Sequence, residues 1–198
     1  MRVSRTILLA VIFLAAGFLS TPQAQTDPAS NPAAVSSMEK KLQHIESNGK
    51  SAHPTLSPTK FTDQEINAYF AAGRVKLPAG VRSVNFQAQP GVVTGTARVD
   101  FDQIRSGRNS GNPLLSVFSG IHTVVVVAHA RSESGQGIVH VDSVVLDDNE
   151  IPPLILQIFV QKFIQPKYPN LGLDSRFALP ARVDTATVGR QELTIIQK

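Results

Sequence analysis

Five histidines are the side chains best suited to acid–base or metal chemistry: His44, His53, His122, His129 and His140. No H-E-x-x-H occurs, and no two histidines stand at i, i+4 on a helical segment, so the helical zinc pattern is absent. His129 and His140 fall near each other across a hairpin. His122 and His129 are seven residues apart and take opposite faces of a straight strand. This pattern reads as a surface pair rather than a metal site. Asp147, Asp148 and Glu150 form the acidic cluster of the chain. A calcium loop needs more widely spaced oxygens and a glycine, so the cluster reads as a solvated turn whose charge favours the helix after it. Arg98, Asp100 and Asp102 alternate onto one strand face and read as a charged solvent stripe. Ser110, within Gly107-Arg108-Asn109-Ser110-Gly111, lacks the order of a nucleophile elbow. Neither nucleotide-binding glycine fingerprint is present. Without cysteine there is no disulfide framework, thiol chemistry or Cys-based zinc site. No catalytic residue, metal or cofactor is assigned, and the chain does not read as an enzyme.

The composition agrees. Of 198 residues, 42% are hydrophobic and 17% charged, too apolar for a wholly disordered chain. The net charge is +4 without a long basic block, so nucleic acid is not an expected partner. Arg2 and Arg5 precede an uncharged run from Ile7 to Leu19, shorter than the roughly 20 residues of a spanning helix. Residues 1–24 read as a secretory signal peptide cut after Ala24, with an uncleaved N-terminal anchor as the other reading. Cleavage would halve the net charge. Either way the expected location is periplasmic or secreted.

The elements that must position these residues follow from periodicity. Residues 25–58 are rich in Ser, Pro, Ala, Asn and Lys, and read as a leader or linker. It holds one short helix, at Ser36 to Ser47, with Met38, Leu42 and Ile45 on one stripe. Residues 59–198 read as a single α+β domain. Thr62 and Glu65 make a capping box, with Phe61 and Ile66 as its hydrophobic staple, and open a short helix ending before Gly73. Val84, Phe86 and Ala88 alternate with polar residues, Pro90-Gly91 turns, and Val93 to Phe101 alternates again. Ser106 to Pro113 reads as a loop and Leu114 to Phe118 as a short helix. Ile121 to Ala130 and Ile138 to Leu146 form a second hairpin. Val124-Val125-Val126-Val127 is apolar on both faces and needs cover on both. Ser175 to Thr187 and Arg190 to Ile196 are the last strands. The whole predicts an antiparallel sheet of hairpins.

The helix expected from Pro153 to Gln165 is unusual. Only Gln157, Gln161, Gln165 and Lys162 are polar, against eight apolar residues from Leu154 to Ile164. A surface helix normally carries an apolar stripe on a polar cylinder. These inverted proportions require that the helix be nearly engulfed or face an apolar ligand.

The order of a capped helix at Phe61-Thr62-Asp63-Gln64-Glu65-Ile66-Asn67, long hairpins, Glu150-Ile151-Pro152-Pro153, an apolar helix, Leu179-Pro180 and final strands resembles a known family. It is similar to bacterial members of the tubular lipid-binding (TULIP-like) superfamily, single modules such as the LmeA-like phospholipid-binding proteins. The resemblance covers residues 59–198. It implies a curved antiparallel sheet wrapped around one long apolar helix, with a hydrophobic groove for acyl chains. Carried over by position, Val93, Val99 and Phe101 line the groove from one hairpin. Val124, Val126, Val139, Val141 and Val145 line it from the next, and Leu154, Ile155, Ile158, Phe159 and Phe163 from the helix. Gly95 and Ala97 would leave room beside them. Each lining residue is equally suited to a closed core, since burying it contributes roughly 1.5–3 kcal/mol.

Two functions follow. One is a non-catalytic module holding a phospholipid or other acyl-chain lipid, with contact to a membrane surface. The other is an envelope structural or protein-interaction domain with a closed core.

Overall fold

A computed structural model describes residues 31–106, 119–165 and 169–198. The expected signal peptide, the loop residues 107–113 and the helix expected at Leu114 to Phe118 lie outside these residues. Helix α1 spans Pro32–Lys50, strand β1 Thr59–Thr62 and helix α2 Asp63–Ala71. The first hairpin is β2, Val81–Gln89, and β3, Val92–Asp100, followed by a short helix α3, Phe101–Ser106. The second hairpin is β4, Ile121–Glu133, and β5, Gln136–Leu146, with the two-residue β6, Asn149–Glu150. Helix α4, Pro153–Phe159, runs on as a π-helical stretch, Val160–Ile164. Strands β7, Asp174–Ala178, β8, Val183–Val188, and β9, Glu192–Gln197, close the order.

The fold is α+β. A large antiparallel sheet has the order β2-β3-β4-β5-β6, with β7 also paired to β5; a small one has the order β1-β9-β8. The final strand expected from Ser175 to Thr187 is two strands in two sheets. Pro180 lacks an N–H for a ladder, and Ala181 and Arg182 take positive φ, which breaks the chain between them.

The stretch read as a linker contributes core. Met38 and Ile45 of α1 are fully buried and Leu42 nearly so, and they cluster with Phe61, Ile66, Phe70, Phe86 and Ile195. The helix starts at Asn31, whose side chain accepts from the N–H groups of Ala33 and Ala34. At its far end Gly49 packs on Ala181; a Cβ there would lie 2.8 Å from that carbonyl carbon. Helix α1 is therefore part of the folded unit.

Glu65 joins α1 to the capping box. Its carboxylate accepts from the Ser37 hydroxyl at 2.5 Å, the Lys41 ammonium at 2.6 Å and the Thr62 N–H at 2.9 Å. The Thr62 hydroxyl in turn accepts from the Glu65 N–H at 3.2 Å. Burial pushes the Glu65 carboxyl up, but Lys41, Ser37 and Thr62 outweigh it and hold the group below its ordinary value.

Polar side chains also seal the outer edge of β2. Asn67 donates to the Phe86 carbonyl and accepts from its N–H, both at 2.8 Å, as a neighbouring strand would. Asp63 accepts from the Ala88 N–H at 2.9 Å, and the Gln191 N–H donates to the Ala88 carbonyl. The Phe86–Ala88 part of that edge is thereby closed to pairing with other chains.

Two outcomes are expected. Met38→Ala should lower stability by about 2–5 kcal/mol, the usual range for a buried large-to-small change, read as a lower urea midpoint. A helix lying in a linker would show no change. Glu65→Gln should cost about 1.5–3 kcal/mol at neutral pH, the worth of hydrogen bonds to a charged group. A carboxyl with a depressed native pKa contributes its stability above the ordinary value of 4.5, and loses it as pH falls through the native value. The gap between wild type and Glu65→Gln should therefore narrow in acid, as measured by urea titrations at a series of pH values.

Candidate functional site

Register assigns the expected lining residues to faces. Val93 stands opposite Ala128, Gly95 opposite Val126, Ala97 opposite Val124 and Val99 opposite His122. On the far side of β4, Val124 stands opposite Leu146, Val126 opposite Val144, Ala128 opposite Val141 and Ala130 opposite Val139. Val93, Val99, Val124, Val126, Val139 and Val141 therefore share one face of the large sheet. Val99, Val139 and Val141 are buried, and Val93, Val124 and Val126 are half-buried.

Val145 does not join them. Between the pairs Val127–Ser143 and Ala128–Val141, Asp142 is an extra residue on β5. This bulge reverses the alternation beyond it, so Val144 and Leu146 turn to the shared face and Val145, opposite Val125, to the other. Leu146 and Val144 are the residues that period-two reasoning misses; the adjacent Val144-Val145 pair is the only hint of the ambiguity. Gly95 also leaves less room than expected. A Cβ there would lie 3.4 Å from the Phe86 ring of β2, which occupies that space.

Phe101 lies where β3 gives way to α3. Asp100 caps that helix: it is buried, accepts from the Gln103 N–H at 3.0 Å, and pairs with Arg82 at 2.6 Å. The Arg82 guanidinium, helped by the Gln103 N–H, holds its carboxyl below the usual value. The half-buried Phe101 ring meets the His122 imidazole edge-on, with centroids 5.3 Å apart. His122 Nδ1 donates to Asp147, and Nε2 donates to the Ser119 carbonyl at 2.9 Å. Asp147 also accepts from the Thr123 N–H at 2.8 Å. The Asp147 hydrogen bond raises the His122 pKa, and His122 lowers that of Asp147, so each favours the charged form of the other. It ties the start of β4 to the β5–β6 turn, where Asp147 and Asp148 both take positive φ. It is a brace at the end of the apolar face, with both imidazole nitrogens engaged.

Helix α4 leaves the sheet at this end, where the Ile151 N–H donates to the Val144 carbonyl. The sheet does not engulf it. Leu154 is 67% exposed, Ile155 42% and Phe159 40%; Ile158 is half-buried. Val160, where the π-helical stretch begins, is buried at 7%. Phe163 lies in that stretch, and its side chain lies outside the described residues. Ile121, at the start of β4, is also exposed.

At the other end of the sheet the core is closed. It holds an apolar cavity of about 50 Å³ between the sheets, lined by Leu42, Phe61, Ile66, Leu179 and Val188, with Asp63 at its wall. A cavity of about 150 Å³ takes one benzene, so this one is too small for an acyl chain. Among the described residues no three metal-ligating side chains converge, and no helix is long and apolar enough to cross a membrane. Compared with family models, with curated proteins and with solved structures, the chain matches none.

The exposures set an expected contrast in stability. Leu154→Asp and Phe159→Asp should change unfolding free energy by about 0.5 kcal/mol or less, as surface substitutions do. Val160→Asp should lower the melting temperature sharply, because it buries an unpaired charge. Thermal melts of the three variants check this.

Proposed function

We propose that this chain is a secreted or periplasmic, non-catalytic lipid-binding module. Acyl chains lie against α4 at the Val99–Leu146 end of the large sheet. The observation that carries this reading is the exposure of Leu154, Ile155 and Phe159 on one short helix that starts beside a largely apolar sheet face. Covering such side chains contributes up to roughly 1.5–3 kcal/mol each. A ligand that is long, apolar and indifferent to hydrogen bonding matches a surface with so few polar groups. The TULIP-like resemblance supports the same ligand class, although the helix lies uncovered rather than inside a wrapped sheet.

One observation favours the other reading, an envelope structural or protein-interaction domain. Val99, Val141, Leu146 and Val160 are already buried, as in a closed core. In that case the exposed part of α4 meets a protein surface.

Detergent-free purification followed by native mass spectrometry and mass spectrometry of the organic extract separates the two. Stoichiometric lipid on the wild type, lost in a folded Phe159→Asp variant, is the expected result. A folded Phe159→Asp variant that keeps its lipid overturns the proposed site. A lipid-free wild type that forms concentration-dependent oligomers supports the interaction domain instead.

A further inference from the structure

The outer face of the β4–β5–β7 region carries a second constellation, separate from the apolar one. His129 of β4 stands directly opposite His140 of β5, and His140 stands opposite Asp174 of β7. Directly opposed residues of an antiparallel pair share a face, with Cβ atoms about 4.5–5.5 Å apart. Each imidazole is held by a carboxylate. His129 Nδ1 lies 2.7 and 2.8 Å from the two oxygens of Asp142, and His140 Nδ1 lies 2.6 Å from Asp174.

Those contacts decide the tautomers. An ionised carboxylate only accepts, so each Nδ1 carries the proton and donates it. In a neutral ring Nε2 is then left with a free lone pair. Among the described residues neither Nε2 has a hydrogen-bond partner. Both rings are open to solvent, with side chains 65% and 55% exposed. A histidine that ligates a metal commonly donates its other ring N–H to a carboxylate, which orients the ring and raises its basicity. Here that outer-shell arrangement is present for two imidazoles side by side.

We propose that His129 and His140 form a two-imidazole chelate for a divalent transition metal of the zinc or nickel class, through Nε2 of each ring. Asp142 and Asp174 act as the orienting carboxylates. Imidazole is a preferred donor for these ions, and water completes the coordination that the protein leaves open. Asp142 is available to His129 because the β5 bulge places it there. The same face also carries Arg131 and Arg176, both opposite Ile138. Their charges balance the two carboxylates, so binding relies on the imidazole donors rather than on a net negative field. The site is independent of the lipid reading and stands or falls separately from it.

The test is calorimetric titration of the untagged full chain with zinc chloride in a non-coordinating buffer. One zinc per chain is expected. His129→Ala and His140→Ala should each weaken binding at least tenfold without changing the melting temperature of the metal-free protein. Asp174→Asn should weaken it about tenfold, the lower end of outer-shell effects. A His44→Ala/His53→Ala double variant should bind as the wild type does. A second reading comes from long-range proton–nitrogen spectra of the imidazoles. Zinc should shift Nε2 of His129 and His140 and leave both Nδ1 protons in place. No binding by the wild type, binding that survives either single alanine substitution, or a zinc shift at Nδ1 overturns the proposal.

Discussion

The extra residue at Asp142 is the constraint on which the large sheet depends. With an unbroken period of two, β5 would turn Val139, Val141, Ser143 and Val145 to one side and His140, Asp142, Val144 and Leu146 to the other. Both faces would then be mixed. The bulge between Ala128 and Val127 instead sends Val139, Val141, Val144 and Leu146 to the same face as Val124 and Val126. One face becomes apolar along the whole strand, and the other receives His140, Ser143 and Val145. The same displacement sets the Asp142 carboxylate beside His129. A single inserted residue thus makes the apolar surface continuous and sets the carboxylate partner of His129 behind it.

The two ends of that apolar face are treated differently. At the β8 end, polar side chains complete the backbone pairing that strands would otherwise supply. Ser132 accepts from the Ala186 N–H at 2.5 Å and donates to its carbonyl at 3.1 Å, joining the two sheets. Gln197 donates to the carbonyls of Ile45 and Ala181, and Asn48 donates to Gln197. With Asn67 on Phe86 and Glu65 on α1, these bonds tie helices α1 and α2 and strands β2, β4, β8 and β9 around this core. Each is worth only about 0.5–1.5 kcal/mol net, but a buried group left unpaired costs about 1–3 kcal/mol. That asymmetry makes this end hard to open. In the proposed reading the ligand therefore lies at the other end, where α4 leaves the sheet.

Sequence patterns revealed those parts of the architecture that local chemistry dictates. The Thr62–Glu65 capping box is formed as expected, because it needs only four neighbouring residues. Both hairpins and the position of the apolar helix were also legible from alternation and turn residues, but not its change from α- to π-helical at Val160. The role of α1 was not. Its polar face dominates its composition, and Met38, Leu42 and Ile45 become core only because Phe61 and Ile195 arrive from elsewhere. The division of the last strand depends on Ala181 and Arg182 taking positive φ, which their side chains do not advertise. The face of Val145 depends on the bulge, and the space over Gly95 depends on Phe86 from the next strand. These are non-local facts, and single-strand periodicity carries no information on them. The His129–His140 register was legible because it follows from the length of one hairpin.

Helix α4 carries the last step. Its composition allows two resolutions, engulfment by the sheet or contact with something apolar outside it, and with Leu154 67% exposed the first is not realised. The α-helical part has seven residues and no side-chain cap at Pro152. So short a helix is marginal in water on its own, and helices of this length persist by burying a face. The buried Val160 at its junction with the π-helical stretch supplies one anchor. In the proposed reading an acyl chain over Leu154, Ile155 and Phe159 supplies the burial that the sheet does not. The binding surface is then also the least self-sufficient element of the fold, so occupation of the site and stability of α4 are thermodynamically linked.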